Sequence, residues 1–126
     1  MDKITKISVT GVPEPKGNIY SNALAVGPML FLSGMTAGEP TGNAYEQSVR
    51  CLERIKKLVE AGGGTMADVV KITVYLTDIA YRPDFGKARS EFFSGRMPCS
   101  TLVAVSALAD PGYLVEVEAT AVIGGS

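Results

Sequence analysis

Glu116 and Glu118 stand two residues apart in the run Val115-Glu116-Val117-Glu118-Ala119. Strand side chains alternate faces, so both carboxylates project from one side, with Leu114 and Thr120. Val115, Val117, Ala119 and Ala121 make the other side, an apolar one suited to a core. A carboxylate next to a core-forming strand is solvated, ion-paired or held in a cleft, because an unpaired buried charge is costly. In a cleft it can act as a general base. The chain has 126 residues and His 0. Imidazole acid–base catalysis, His-dependent triads and His-ligated zinc are therefore excluded within it. Acid–base work falls to Glu, Asp, Tyr, Lys, Cys or water. Cys51 and Cys99 lack C-x-x-C spacing, and no histidine activates Cys99 as a nucleophile.

Short strands and two helices must position these groups. Residues 4–9 form a short strand. Residues 23–26 and 29–34 flank Gly27-Pro28 and predict a hairpin. From Asn43 to Ala61, Tyr45, Val49, Leu52, Ile55 and Val59 recur at helical spacing, with Glu46–Arg50 and Glu53–Lys57 as i,i+4 pairs on the wet side. Gly62-Gly63-Gly64 stops that helix; it is no phosphate loop, since it follows a helix and no G-K-S/T succeeds it. In the strand 69–76, Val70, Ile72, Val74 and Leu76 share one face, and Val69, Lys71, Thr73 and Tyr75 the other. Pro83 suits the first turn of a second helix carrying Phe85, Ala88 and Phe92, stopped by Gly95. Two apolar β-type runs joined by Asp110-Pro111-Gly112 complete an order β-β-β-α-β-α-β-β. This predicts an α+β chain, its sheet covered by helices on one face. Leu102, Leu114 and Phe31 are expected on the uncovered face, which argues for an oligomer.

Length predicts one domain over residues 1–126. A formal net charge of −1 and scattered basic residues give no electrostatic track for nucleic acid or anionic membrane. Apolar runs are too short to span a bilayer, and the amino-terminal residues lack a signal-peptide core, so a cytoplasmic protein with reduced thiols is expected.

Residues 97–123 resemble the carboxy-terminal signature of the RidA (YjgF/YER057c/UK114) family, roughly P-x-R-S/T-x-V-x-V, a turn, then E-I/V-E-A. Pro98, Thr101, Val103, Val105, Leu108, Glu116, Val117, Glu118 and Ala119 fit it. Tyr20, Ser21, Ser33 and Gly34 fit the family's earlier Y-S and S-G-Q elements, and 68–78 resembles its D-V-V-K strand. Asn18, Ile19, Met35, Gly86 and Leu102 depart from the pattern, and Ser100 stands where the family has arginine.

The resemblance implies a chorismate-mutase-like fold: a six-stranded mixed sheet with two helices on one face. It further implies a homotrimer with a central barrel and a small-molecule cleft at each subunit boundary. RidA-type members hydrolyse 2-aminoacrylate and related enamines or imines to 2-oxo acids, releasing ammonia without metal or organic cofactor. Carried over, Glu116 and Tyr20 are the catalytic candidates, with Glu116 positioning water. Ser33, Gly34, Ser100 and Thr101 line the substrate site, and Arg96 is a candidate stand-in for the missing arginine. Serine cannot fork a carboxylate, and a charge-assisted contact is worth roughly 1.5–3 kcal/mol, so altered substrate preference is expected. The alternative is a non-catalytic trimer of the same fold that binds a small ligand or a partner. Ribonuclease activity, attached to some members, is disfavoured by the charge and the missing histidine.

Overall fold

A computed structural model describes residues 2–126. Its six strands are β1 (Ile4–Ile7), β2 (Ala23–Val26), β3 (Met29–Met35), β4 (Val69–Leu76), β5 (Cys99–Ala104) and β6 (Val115–Val122). Two helices, α1 (Ala44–Ala61) and α2 (Arg82–Phe92), lie between them in the chain. The spatial order is β1-β2-β3-β6-β4-β5, antiparallel throughout except for the parallel β4–β5 pair. A parallel pair needs a crossover, and α2 supplies it. The last two strands are accordingly not a hairpin: β6 inserts between β3 and β4, and residues 105–114 form the long connection. Gln47 of α1, wholly buried, anchors that connection. Its amide donates to the Gly112 carbonyl at 3.0 Å and accepts the Leu114 N–H at 2.9 Å.

Asn43 caps α1 through a reciprocal box: Glu46 N–H donates to the Asn43 side chain at 2.9 Å, and Asn43 N–H to Glu46 at 3.0 Å. Glu46 is thereby used at the cap, and Arg50 turns to Thr41. Neither expected i,i+4 pair is an ion contact among the described residues. Gly63 adopts φ +94 just past the helix, and three glycine N–H groups close onto the carbonyls of Leu58, Val59 and Glu60. The buried stripe of α1 is Ala44, Gln47, Ser48, Cys51, Leu52, Ile55, Leu58 and Val59. It is rotated from the expected one, leaving Tyr45 and Val49 half-buried at its margin.

Both helices cover one side of the sheet, burying Leu30, Leu32, Ile72, Val74, Leu76, Val115, Val117, Ala119 and Ala121 with Phe85 and Ala88 of α2. Three local departures have backbone causes. A register shift between Val69 and Lys71 turns Val69 into the core and leaves Val70 half-buried. The strand expected over 4–9 ends at Ile7, because the chain reverses and Val9 bridges Val12. Helix α2 ends before Gly95, since Phe93 turns extended (φ −123) and buries its ring.

Met29, Phe31 and Val103 are among the exposed large apolar residues. Phe31, with Lys71, Thr73, Glu118 and Thr120, lines a shallow groove of 220 Å³ on the uncovered face. Leu102 is not there: it sits on the helix side, packed at the margin of the core. Leu114 is half-buried just before β6, held by Gln47.

Candidate active site

Alternation along β6 puts Glu116 on the uncovered face, paired across β4 with Tyr75. Glu118 pairs with Thr73 and accepts the Tyr75 hydroxyl at 2.8 Å. That bond, with burial, pushes the Tyr75 phenol above its ordinary value. Glu116 has no such partner among the described residues. Burial, and then the charge of Glu118, raise its carboxyl above the usual range. A raised carboxylate is a stronger base, which is what abstraction of a proton from water needs.

The floor beneath Glu116 is Gly34. Strand β3 pairs in register with β6 through Leu32, slips, and resumes at Met35. Ser33 and Gly34 occupy the irregularity. A Cβ on Gly34 would lie 2.8 Å from the Glu116 carboxyl carbon, so the carboxyl group rests where any other residue would place a side chain. Ser33 fixes the neighbouring segment: its N–H donates to the Asn22 carbonyl at 2.9 Å and its hydroxyl to the Ser21 carbonyl at 2.6 Å. Asn22 is buried, its amide on the Pro13 carbonyl at 3.0 Å. Tyr20, next along, remains 51% exposed. The fold thus brings Glu116 and Gly34 together, with the Tyr20 segment stitched to Ser33 alongside.

Ser100 and Thr101 belong to β5, at the edge of the sheet. Ser100 pairs with Ile72, and Glu116 with Tyr75. Ile72 and Tyr75 are three residues apart on β4, so Ser100 and Glu116 point to opposite faces. Their Cα atoms are about 14 Å apart on strand spacing and rise alone. Thr101, paired with Thr73, shares the Glu116 side but is exposed. Arg96 donates to the Ala67 carbonyl at 2.8 Å. The guanidinium that faces Ser100 is instead that of Arg89, whose Nη1 lies 3.5 Å from the serine hydroxyl. Arg82, Arg89, Ile79, Ser100 and Leu102 line a cleft of 340 Å³. Sequence reading passed over Arg82 and Arg89. Their spacing of seven, two helical turns on one face, was the available signal.

Among the described residues no helix is long and apolar enough to cross a membrane. Residues 12–123 match the family described as Endoribonuclease L-PSP. A 2-iminobutanoate/2-iminopropanoate deaminase of Dermatophagoides farinae is 32% identical over 123 residues, covering 93% of this chain and 94% of its own. A protein of unknown function from Pseudomonas aeruginosa superposes with a TM-score of 0.94 at 38% identity, over 98% of this chain and 95% of its own. A Mycobacterium tuberculosis structure, titled as a member of the YjgF/YER057c/UK114 family, gives 0.85 at 33% identity, over 96% and 100%. With its family segments in order on the same sheet and two helices, this chain belongs to the RidA (YjgF/YER057c/UK114) family.

Proposed function

We propose that the protein is a cofactor-independent, cytoplasmic hydrolase that deaminates a small imine or enamine, with Glu116 as the base that activates water. The observation that carries this reading is the Glu116 carboxylate: half-buried, raised in pKa, seated on Gly34 and without a cationic partner among the described residues. The name of the Dermatophagoides relative supplies the reaction class. Water loses a proton to Glu116 as its oxygen bonds the imine carbon, and the C=N electron pair moves to nitrogen, which takes up a proton. The C–N bond then breaks, nitrogen leaves as ammonia, and the hydroxyl proton is lost to give the 2-oxo product. An enamine enters the same path after protonation at its β-carbon. Tyr20 and the Ser33-Gly34 backbone border the reacting atoms, and Thr101 lies along the same face of the sheet.

The working unit is a homotrimer in which Glu116 of one copy meets the β5 edge of another. Two features support it. Glu116 and Ser100 point to opposite faces of one sheet, so a single chain cannot gather them round one small molecule. Phe31 is 45% and Val103 40% exposed, and a neighbouring copy would bury such surface. The test is ammonia release from 2-iminobutanoate or 2-iminopropanoate generated in the assay, with sedimentation of the same sample. Turnover by a species near three times 13.2 kDa is expected. A monomer at micromolar concentration, or no ammonia above the uncatalysed rate, would sink the reading. The uncharged Ser100 favours a second reading, a non-catalytic trimer that binds a small ligand; it predicts saturable binding with no ammonia.

A further inference from the structure

Three cations of α1 gather on the helix side of the sheet, away from Glu116. Arg50, Arg54 and Lys57 follow one another at steps of four and three residues, which sets them in one stripe about 10 Å long. With Gly11 and Gly38 of two loops they border a cavity of 450 Å³, to which Pro13 and Ala37 add apolar lining. Arg54 is half-buried and donates from Nη1 to the Thr36 carbonyl at 3.0 Å, using one of its five donors. Gly38, at φ +87, lies over it: a Cβ there would stand 3.7 Å from the guanidinium carbon. Lys57 reaches the other loop, its Nζ 3.0 Å from where a Cβ on Gly11 would stand. Arg50 is tied to Thr41. Two exposed carboxylates, Glu39 and Glu53, share the lining. Among the described residues none of the three cations is in an ion pair with them or with any other acid.

A half-buried guanidinium with spare donors, beside an unpaired ammonium, suits an anion of more than one charge, above all a phosphoryl group. At 450 Å³ the cavity is in the range of small-molecule sites and roomier than a bare anion needs. Glu39 and Glu53 then face the rest of the ligand. An ionised carboxylate only accepts hydrogen bonds, so the pair calls for hydroxyl donors and repels a second anion. We propose that this cavity is a binding site for a small sugar monophosphate, its phosphoryl group on Arg54 and Lys57 and its hydroxyls on Glu39 and Glu53. Arg50, occupied by Thr41, contributes charge rather than contact. Sugar bisphosphates are rejected by the same two carboxylates. None of these residues belongs to the Glu116 site, so binding does not depend on the imine-hydrolase reading.

Calorimetric titration with ribose 5-phosphate at physiological ionic strength tests it, beside ribose, inorganic phosphate and ribose 1,5-bisphosphate. Saturable binding of ribose 5-phosphate is expected, at least tenfold tighter than that of inorganic phosphate or the bisphosphate, with none of ribose. The affinity should fall at least tenfold in Arg54→Gln and several-fold in Lys57→Gln. Lys57 is exposed and makes no bond to the loops, so its variant covers the case of an Arg54→Gln chain that fails to fold. Glu53→Gln should narrow the gap between the monophosphate and the bisphosphate. Unchanged affinity in folded Lys57→Gln would overturn the site. Inorganic phosphate or the bisphosphate binding as tightly as ribose 5-phosphate would overturn the sugar-phosphate assignment. Full affinity in Arg89→Gln and in Glu116→Gln is expected; loss in either would place the ligand elsewhere and refute the proposal.

Discussion

Replacing Glu116 with glutamine should make the protein less active and more stable. The two carboxylates of β6 are two residues apart on one face, about 7 Å at strand rise. Two unit charges at that distance repel by about 0.6 kcal/mol in water, or about 2.4 kcal/mol at the effective dielectric of a partly buried site. Tyr75 disperses part of the Glu118 charge through its 2.8 Å bond, so the lower half of that range applies. Glu116→Gln also removes a desolvated charge while keeping its shape above Gly34. A gain of about 1 kcal/mol, or a few degrees in melting temperature, is expected at neutral pH. Turnover should fall at least tenfold, roughly 1.4 kcal/mol or more of transition-state stabilisation, since a positioned base supplies about 10²–10⁴.

The pH dependence has a defined sign. Burial and Glu118 raise the folded-state pKa of Glu116 above 4.5. Its contribution to stability is therefore present below the unfolded pKa and is lost as pH rises through the folded one. An ordinary carboxylate held by a partner behaves in the opposite way. On the kinetic side, kcat/KM should fall as pH drops through the raised value, with the acid limb above 4.5, and the limb should vanish in Glu116→Gln. Ammonia release and thermal unfolding, run across pH on both proteins, check each part. A glutamine variant that melts lower would show that the carboxylate holds the fold together. One that melts normally and turns over normally would remove Glu116 as the base.

Gly34→Ala should cost activity with little loss of stability: its methyl would meet the end of the Glu116 side chain, which can swing aside, and kinetics beside thermal unfolding read both effects. Gln47→Ala should destabilise by about 2–3 kcal/mol in chemical denaturation, because it strips partners from the Gly112 carbonyl and Leu114 N–H and leaves a cavity. Cys51, buried with its thiol pushed up to about 12, should resist thiol reagents until unfolding, a thiol titration with and without denaturant being the check.

Most of the layered architecture was legible because its signals are periodic. The apolar alternation of β4 and β6 and the helical recurrence from Leu52 to Val59 each follow from one element's geometry. What escaped depends on contacts between distant segments. The burial of Gln47 is intelligible only once residues 112–114 are known to lie against α1. Asp110-Pro111-Gly112 joins two β-type runs in sequence, yet β4 separates the two strands in the sheet. Glu46 and Arg50 have helical spacing for an ion pair, but the cap and Thr41 compete for them with better geometry. Val69 changes face through a bulge of one residue, which strict alternation cannot anticipate.

The functional residues divide in the same way. Alternation alone placed Glu116 on the face away from the core, whereas Ser33 and Gly34 were suggested by the family resemblance, and their contact with Glu116 comes from the irregular β3–β6 pairing. Ser100 lacks the charge the family has at its position, and the nearest arginine in sequence is Arg96. Space decides differently. Arg96 donates to the Ala67 carbonyl, and the crossover from β4 to β5 carries Arg89 to within 3.5 Å of the Ser100 hydroxyl, eleven residues away in sequence. Glu116 and Ser100 come from opposite faces of the sheet, so assembly, rather than folding of one chain, would bring them to one small molecule.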